Sequence, residues 1–360
     1  MESKPTYSDH SKNPKRKSFL KTVYKYMQFI LPIVLLIFVF IRVDINKVIH
    51  NLSSTNIFLF IIGIIFFPLV IVTGSFRWYF LIRKTNKISF LFVLKHYWIG
   101  LGLGYFVPSS IGWDFYRVTT IGKINNNYLT NIVIIVYEKL IAFITCGTII
   151  FIFIPFLNLK LSSNQNNIFN TIFIFFFIAL VLIVIFFLSF RSKFIKEKLK
   201  WLIEKTLLKF EKVTKIKIYT NTNLIGSGII NIKFTDLLIT FFFSFLIQFF
   251  SALATQLFFL SVNMNISIFV NLFVTSVLFI IFVLPISFGS IGVREISYIT
   301  MYGIFSVLPE VAVTISILTF LGVILNSSIG LIILFFDNLK NKKSKNLIMK
   351  DSELISIDNK

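Results

Sequence analysis

The sequence predicts an all-α polytopic membrane protein with about six full transmembrane helices and two Pro/Gly-broken re-entrant hairpins, arranged as an inverted repeat. Three observations predict it. Of 360 residues, 56% are hydrophobic and only 14% are charged. A soluble domain carries about 25% charged residues, so this chain has too little polar surface to cover its apolar volume in water. Disorder is excluded on the same ground. The apolar residues fall in runs, several of them longer than the ~20 residues that a helix needs to cross a bilayer. The formal net charge is +21, and its Lys and Arg residues sit between the runs, on alternate sides, as expected when basic loops stay on the cytoplasmic side.

The elements follow in order. Residues 1–26 form a basic tail, and 27–41 an uncleaved first helix on the short side for a span, with no Ala-x-Ala cleavage pattern after it. A second run covers 57–82, interrupted by Pro68, Gly74 and Arg77. Residues 90–122 divide into two short apolar pieces rich in Gly and broken by Pro108. Further runs cover 132–156, 168–190 and 237–262. Residues 268–306 are split again by Pro and Gly, and 311–336 is the last run. One membrane domain therefore covers 27–336, with a cytoplasmic basic loop at 191–236 and a cytoplasmic tail at 337–360.

Charge fixes the expected topology. Basic residues crowd the N-terminal tail, residues 77–95, the loop 191–236 and the C-terminal tail, whereas 43–56, 158–167 and 263–267 offer only Lys47 and Lys160. Both termini are expected in the cytoplasm of a bacterial inner membrane. The stretch 90–122 must then enter and leave on the cytoplasmic side, and 268–308 on the external side. Backbone freed by Pro and Gly must line protein or water, which favours re-entrant hairpins.

The hairpin tips look alike. One reads Pro108-Ser109-Ser110-Ile111-Gly112-Trp113-Asp114, with Arg117 after it. The other reads Pro285-Ile286-Ser287-Phe288-Gly289-Ser290-Ile291-Gly292-Val293-Arg294-Glu295. Two such segments entered from opposite sides point to a binding site between them. Helix N-termini just after Gly112 and Gly292 would add N–H donors for an anion. Ionisable side chains at membrane depth cost about 2.5–3.5 kcal/mol each at a helix centre, so Asp114, Arg117, Glu138, Lys139, Arg294 and Glu295 are the candidate site. Asp114 and Arg117 share a helix face and can pair. Arg294 and Glu295 are neighbours in sequence, so each is expected to seek another partner. A lipid phosphate suits Arg294, because guanidinium recognises it bidentately. Arg77-Trp78-Tyr79 reads as an interfacial anchor. Lys95 and His96 read as snorkelling groups. Gln248, Asn271 and Asn326 read as interhelical hydrogen-bonding residues. Cys146 reads as a small buried hydrophobe.

These residues, in this order, resemble the lysylphosphatidylglycerol synthase transmembrane-region family of flippase-like membrane proteins. The resemblance runs from about Met27 to Phe336 and rests on Arg77-Trp78, the Pro108–Arg117 tip, Glu138-Lys139 and, most specifically, Pro285-Ile286-Ser287-Phe288-Gly289-Ser290-Ile291-Gly292-Val293-Arg294-Glu295. It implies a lipid-translocating domain with paired re-entrant elements, alone or fused to a soluble aminoacyl transferase. Trp113 and Ser290 stand where the family often has Gly, and Lys139 where Arg is usual.

The two dozen or so residues after Phe336 are too few for a fused synthase domain. There is no Walker A pattern, no metal-ligand spacing and no catalytic constellation, so neither cofactor nor enzyme activity is expected. The expected function is movement or binding of a phospholipid or glycolipid head group in cell-envelope biogenesis. The expected partners are membrane lipids, either anionic phospholipid or lipid-linked saccharide. An accessory subunit of a glycosyltransferase or lipid-modifying enzyme, docked through the basic loop, is the alternative. A glycosyltransferase would need acidic external residues, and 43–56 has only Asp44. Nucleic acid is disfavoured because the basic residues flank apolar runs and form no binding module.

Overall fold

The computed structural model describes residues 30, 32–84, 87–104, 111–154, 157, 174, 234–283 and 290–358. Apart from residue 174, the expected span 168–190 lies outside these, as do the loop 191–233, the tip residues Pro108, Pro285 and Gly289 and the N-terminal tail. Among the described residues there are ten helices and no strand: α1 (Pro32–Arg42), α2 (Ile45–Ser53), α3 (Ile57–Ile82), α4 (Phe90–Gly104), α5 (Ile111–Asn125), α6 (Tyr128–Phe153), α7 (Phe234–Ser261), α8 (Ile268–Val283), α9 (Val293–Gly303) and α10 (Pro309–Asp358). Four are long and apolar enough to cross a membrane: α3, α6, α7 and the Pro309–Leu339 part of α10. The chain is a polytopic all-α membrane protein.

Helix α3 continues through Pro68, Gly74 and Arg77 as one 26-residue helix, so the expected interruption is one of composition only. Pro68 removes a single N–H from the ladder. Gly74 leaves the room that the Tyr97 hydroxyl of α4 occupies. Asn56 caps the start, its Oδ1 accepting from the Leu59 N–H at 3.2 Å. Helix α2 has an Asp44 N-cap and packs its Val48 with Val39, Val43 and Val313.

The order long–short–short–long occurs twice, as α3–α4–α5–α6 and as α7–α8–α9–α10. Helices α3 and α7 run antiparallel in extensive contact. The Asn56 N–H donates to the Ser261 carbonyl at 2.7 Å at one pole, and Lys84 pairs with Asp236 at the other. The hairpin α4–α5 starts at the Lys84 pole, where Lys95 pairs with Asp337 of α10 at 2.5 Å. The hairpin α8–α9 starts at the opposite pole, where Ile266 packs with Leu157 and Val307. The short helices have 15, 15, 16 and 11 residues. At ~1.5 Å per residue each falls short of the ~30 Å hydrocarbon core.

Candidate functional site

Five of the six charged residues that the sequence singles out, all but Glu295, line one cavity of about 430 Å³ between the two hairpins. Gly104 and Trp113 of the first hairpin border it, as do Val283 and Ser290 of the second. Its walls are mostly apolar, and its charged lining is Arg77, Asp114, Arg117, Glu138, Lys139 and Arg294.

The first cluster is built from four helices. Asp114 lies in the first turn of α5, where a carboxylate is favoured by the helix dipole. Three residues on, Arg117 Nη2 donates to Asp114 Oδ1 at 2.7 Å, the i,i+3 pair expected. Arg117 Nη1 also reaches Glu138 of α6, at 3.2 Å to Oε1 and 3.0 Å to Oε2. Arg77 Nη2 of α3 donates to the same Glu138 Oε1 at 2.5 Å, and its Nη1 donates to Ser244 Oγ of α7 at 2.9 Å. Lys139 of α6 pairs with Asp114 Oδ2. The Arg117 guanidinium is 5.2 Å from the ring centres of Trp78 and Tyr97 and 5.0 Å from that of Trp113, a cage that favours a cation by its ring quadrupoles.

Burial grades this cluster. The side chains of Glu138 and Arg117 are 2% and 3% exposed. Those of Lys139 and Asp114 are 29% and 15% exposed. The deep pair is closed and hydrogen-bonded on several sides, which a buried ion pair requires. The outer pair borders the cavity.

The second cluster corrects two expectations. Arg294 and Glu295 pair with each other: Arg294 Nε and Nη2 donate to Glu295 Oε1 at 3.2 and 3.0 Å. Adjacent side chains can meet because both are long, and because Glu295 folds back over the helix start. There its Oε2 accepts the Gly292 N–H at 2.6 Å, and its Oε1 accepts from Ser316 Oγ of α10 at 3.4 Å. The N-terminus of α9 therefore already holds an internal carboxylate on the Gly292 amide. Gly292 has φ of 79°, a left-handed conformation that glycine adopts at least cost. Arg294 lies 3.8 Å over the Phe320 ring, facing the cavity, while Glu295 stands behind it. At the other tip α5 begins at Ile111, so Gly112 lies within the helix and not just before it.

Arg77 is the residue that the reading of the sequence misplaced. It is no interfacial anchor but a buried bridge from α3 to α6 and α7. One signal pointed that way: Arg77 lies five residues before the end of α3, about 7 Å inside at the helical rise. Lys95 meets Asp337, and His96 Nδ1 meets Tyr116 Oη at 2.8 Å, so both join elements and do not merely snorkel. Gln248 Nε2 reaches Cys146 Sγ at 3.2 Å, and Asn271 links Gln256 and Tyr302, the interhelical bonds expected. Asn326 departs from this: its Nδ2 donates to Gly322 of its own helix, and its backbone carbonyl receives Trp98 Nε1 at 3.1 Å. Cys146 is buried.

A family model, Lysylphosphatidylglycerol synthase TM region, matches residues 26–325. The chain belongs to that family. No curated protein and no solved structure matches.

Proposed function

We propose, from membership in the lysylphosphatidylglycerol synthase transmembrane-region family, that this membrane protein of lipid or envelope metabolism is a lipid translocase. It would bind a lipid head group in the cavity between the two hairpins and pass it across the cytoplasmic membrane, with both chain termini inside. One observation carries the reading: a cation-rich ion network at membrane depth lines a cavity bordered by two hairpins that start from opposite poles. Charges there are costly and are retained in substrate pathways. The apolar walls suit the glycerol and upper acyl region of a lipid, and the guanidinium of Arg294 suits its phosphate. Rocking of one hairpin against the other would open the site to each side in turn. The work is binding and movement, with no covalent step.

The test is the rate at which a fluorescent phospholipid changes leaflet in proteoliposomes. Loss of one charge-assisted contact is worth about tenfold, so Arg294→Ala should slow exchange by roughly that factor. An Arg294→Ala protein as fast as the parent removes Arg294 from the pathway. Absence of exchange, together with stoichiometric co-purification of an envelope enzyme, supports the accessory-subunit reading instead.

A further inference from the structure

The cavity has a neutral polar lining as well as a charged one. Helices α7, α8 and α10 contribute Ser251, Thr255, Thr275, Thr319 and Asn326 to it. Each hydroxyl there commits its proton to its own helix. Ser251 Oγ donates to the Ile247 carbonyl at 2.8 Å, Thr255 Oγ1 to that of Ser251 at 2.9 Å, Thr275 Oγ1 to that of Asn271 at 2.7 Å and Thr319 Oγ1 to that of Ile315 at 2.8 Å. Serine and threonine make this bond four residues back when the carbonyl is in reach. What each oxygen has left is lone pairs. Thr319 Oγ1 accepts from the Tyr298 hydroxyl at 3.3 Å. The oxygens of Ser251, Thr255 and Thr275 meet no donor among the described residues.

Asn326 makes the point independently. Its Nδ2 donates to the Gly322 carbonyl at 2.9 Å. That bond fixes the amide, because a carbonyl accepts only from N–H, so Oδ1 is the opposite end. Oδ1 is buried and has no hydrogen-bond partner among the described residues, in a residue that is 2% exposed. Asn326 also lies near the middle of Pro309–Leu339, the apolar part of α10. An acceptor left unmet in such a place is costly. Packing does not require it: the Trp98 indole that ties α4 to α10 here donates to the Asn326 backbone carbonyl, not to the side chain.

We infer that this lining reads the hydroxyls of a polyol head group, with Asn326 Oδ1 as the principal acceptor and the oxygens of Ser251, Thr255 and Thr275 as the others. The inference rests on the translocase reading and names the substrate class for that same cavity: a lipid whose head group carries free hydroxyls, whether glycerol or sugar. A lining of acceptors calls for a ligand of donors. An ammonium also donates, but these oxygens are neutral, and burying a charge against neutral acceptors costs far more than burying a hydroxyl. The carboxylates that line the cavity, Asp114 and Glu138, are held by arginine. A choline or a methyl ester brings no donor and leaves Asn326 Oδ1 unmet, and a site built to hydrogen-bond a hydroxyl rejects the analogue that lacks it.

The experiment measures which lipids the full-length protein retains from a mixed membrane. The protein is reconstituted in phosphatidylcholine vesicles carrying equal small amounts of phosphatidylglycerol, phosphatidylmethanol, phosphatidylethanolamine and a glucosyl diacylglycerol. It is then extracted, delipidated to its tightly held lipid and analysed by mass spectrometry. Phosphatidylglycerol and phosphatidylmethanol carry the same charge and differ in the glycerol hydroxyls, so their ratio reports the hydroxyls alone. The parent protein should retain phosphatidylglycerol, the glucosyl lipid or both about tenfold over phosphatidylmethanol and phosphatidylethanolamine. Which of the two it keeps assigns glycerol or sugar. In Asn326→Leu, which leaves the backbone bond to Trp98 in place, the preference should collapse to within about twofold. Thr255→Val, which exchanges a hydroxyl for a methyl of similar size, should lower it about threefold. A parent protein that holds phosphatidylmethanol or phosphatidylethanolamine as well as the hydroxyl-bearing lipids overturns the inference, and this arm needs no variant to fold. So do Asn326→Leu and Thr255→Val proteins with the parent's sorting. Retention without sorting by hydroxyl leaves the translocase reading standing and removes only this inference. No retained lipid of any kind, with no leaflet exchange, removes both.

Discussion

At the scale of single residues, Glu138 is the position on which the site depends most. It lies between two arginines and is 2% exposed. Glu138→Ala would leave Arg77 and Arg117 buried without their shared carboxylate. Removing one partner of a buried pair costs about 3–5 kcal/mol, so the variant should unfold in detergent at a markedly lower temperature. An unchanged melting curve would mean that the two arginines are solvated in the membrane and not held by Glu138. Gly292 makes a second, independent point. Its φ of 79° disfavours any side chain, and a Cβ there would stand 2.9 Å from the Pro32 carbonyl oxygen. Gly292→Ala should cost about 1–2 kcal/mol in the same measurement. Residue identity alone marked Glu138 as costly at membrane depth. It did not say that Arg77 belongs with Glu138, because 61 residues separate them and pairing depends on which helix faces are packed together. Nor did it show that Glu295 turns back to its own helix start.

At the scale of elements, hydropathy made α3, α6, α7 and the Pro309–Leu339 part of α10 legible to within a few residues. A run of apolar side chains must be shielded from water whatever its neighbours are, so the signal is local. The short helices were legible as broken pieces, not by their ends. Helix α10 continues to Asp358, well past the apolar run, because the polar residues that follow are adequate helix formers. Contact between α4 and α10 is close because both present glycine. A Cβ on Gly102 would stand 2.8 Å from the Ser327 carbonyl oxygen, and Gly330 faces the Trp98 backbone in the same way. Small residues let membrane helices approach closely. Gly102→Val should force α4 from α10 and cost about 1–3 kcal/mol, with slower leaflet exchange because Trp113 of the same hairpin borders the cavity. A variant with parental stability and exchange rate would show that this contact does not position the hairpin.

At the scale of the whole molecule, the architecture is two long–short–short–long units whose hairpins start at opposite poles and whose short helices border one cavity. Orientation in the bilayer is testable with single cysteines in a Cys146→Ala background. A cysteine at Lys47 should react with a membrane-impermeant maleimide on intact cells, and one at Lys87 only after permeabilisation. The reverse pattern would invert the assignment of basic loops to the cytoplasm. Local patterns in the chain establish an all-α membrane protein, two Pro/Gly-broken segments set apart from the full spans, and all but Arg77 of the charges that line the cavity. Each of these follows from sums over neighbouring residues: transfer free energy, loop charge and helix breaking. Packing alone shows which charges meet: that Arg77 is a buried bridge, that Glu295 is spent on Gly292 and Arg294, and that Lys139 pairs with Asp114. Those outcomes depend on helix rotation and packing across distant segments, and a charge's partner in a low-dielectric interior is set by that geometry and not by its neighbours in sequence.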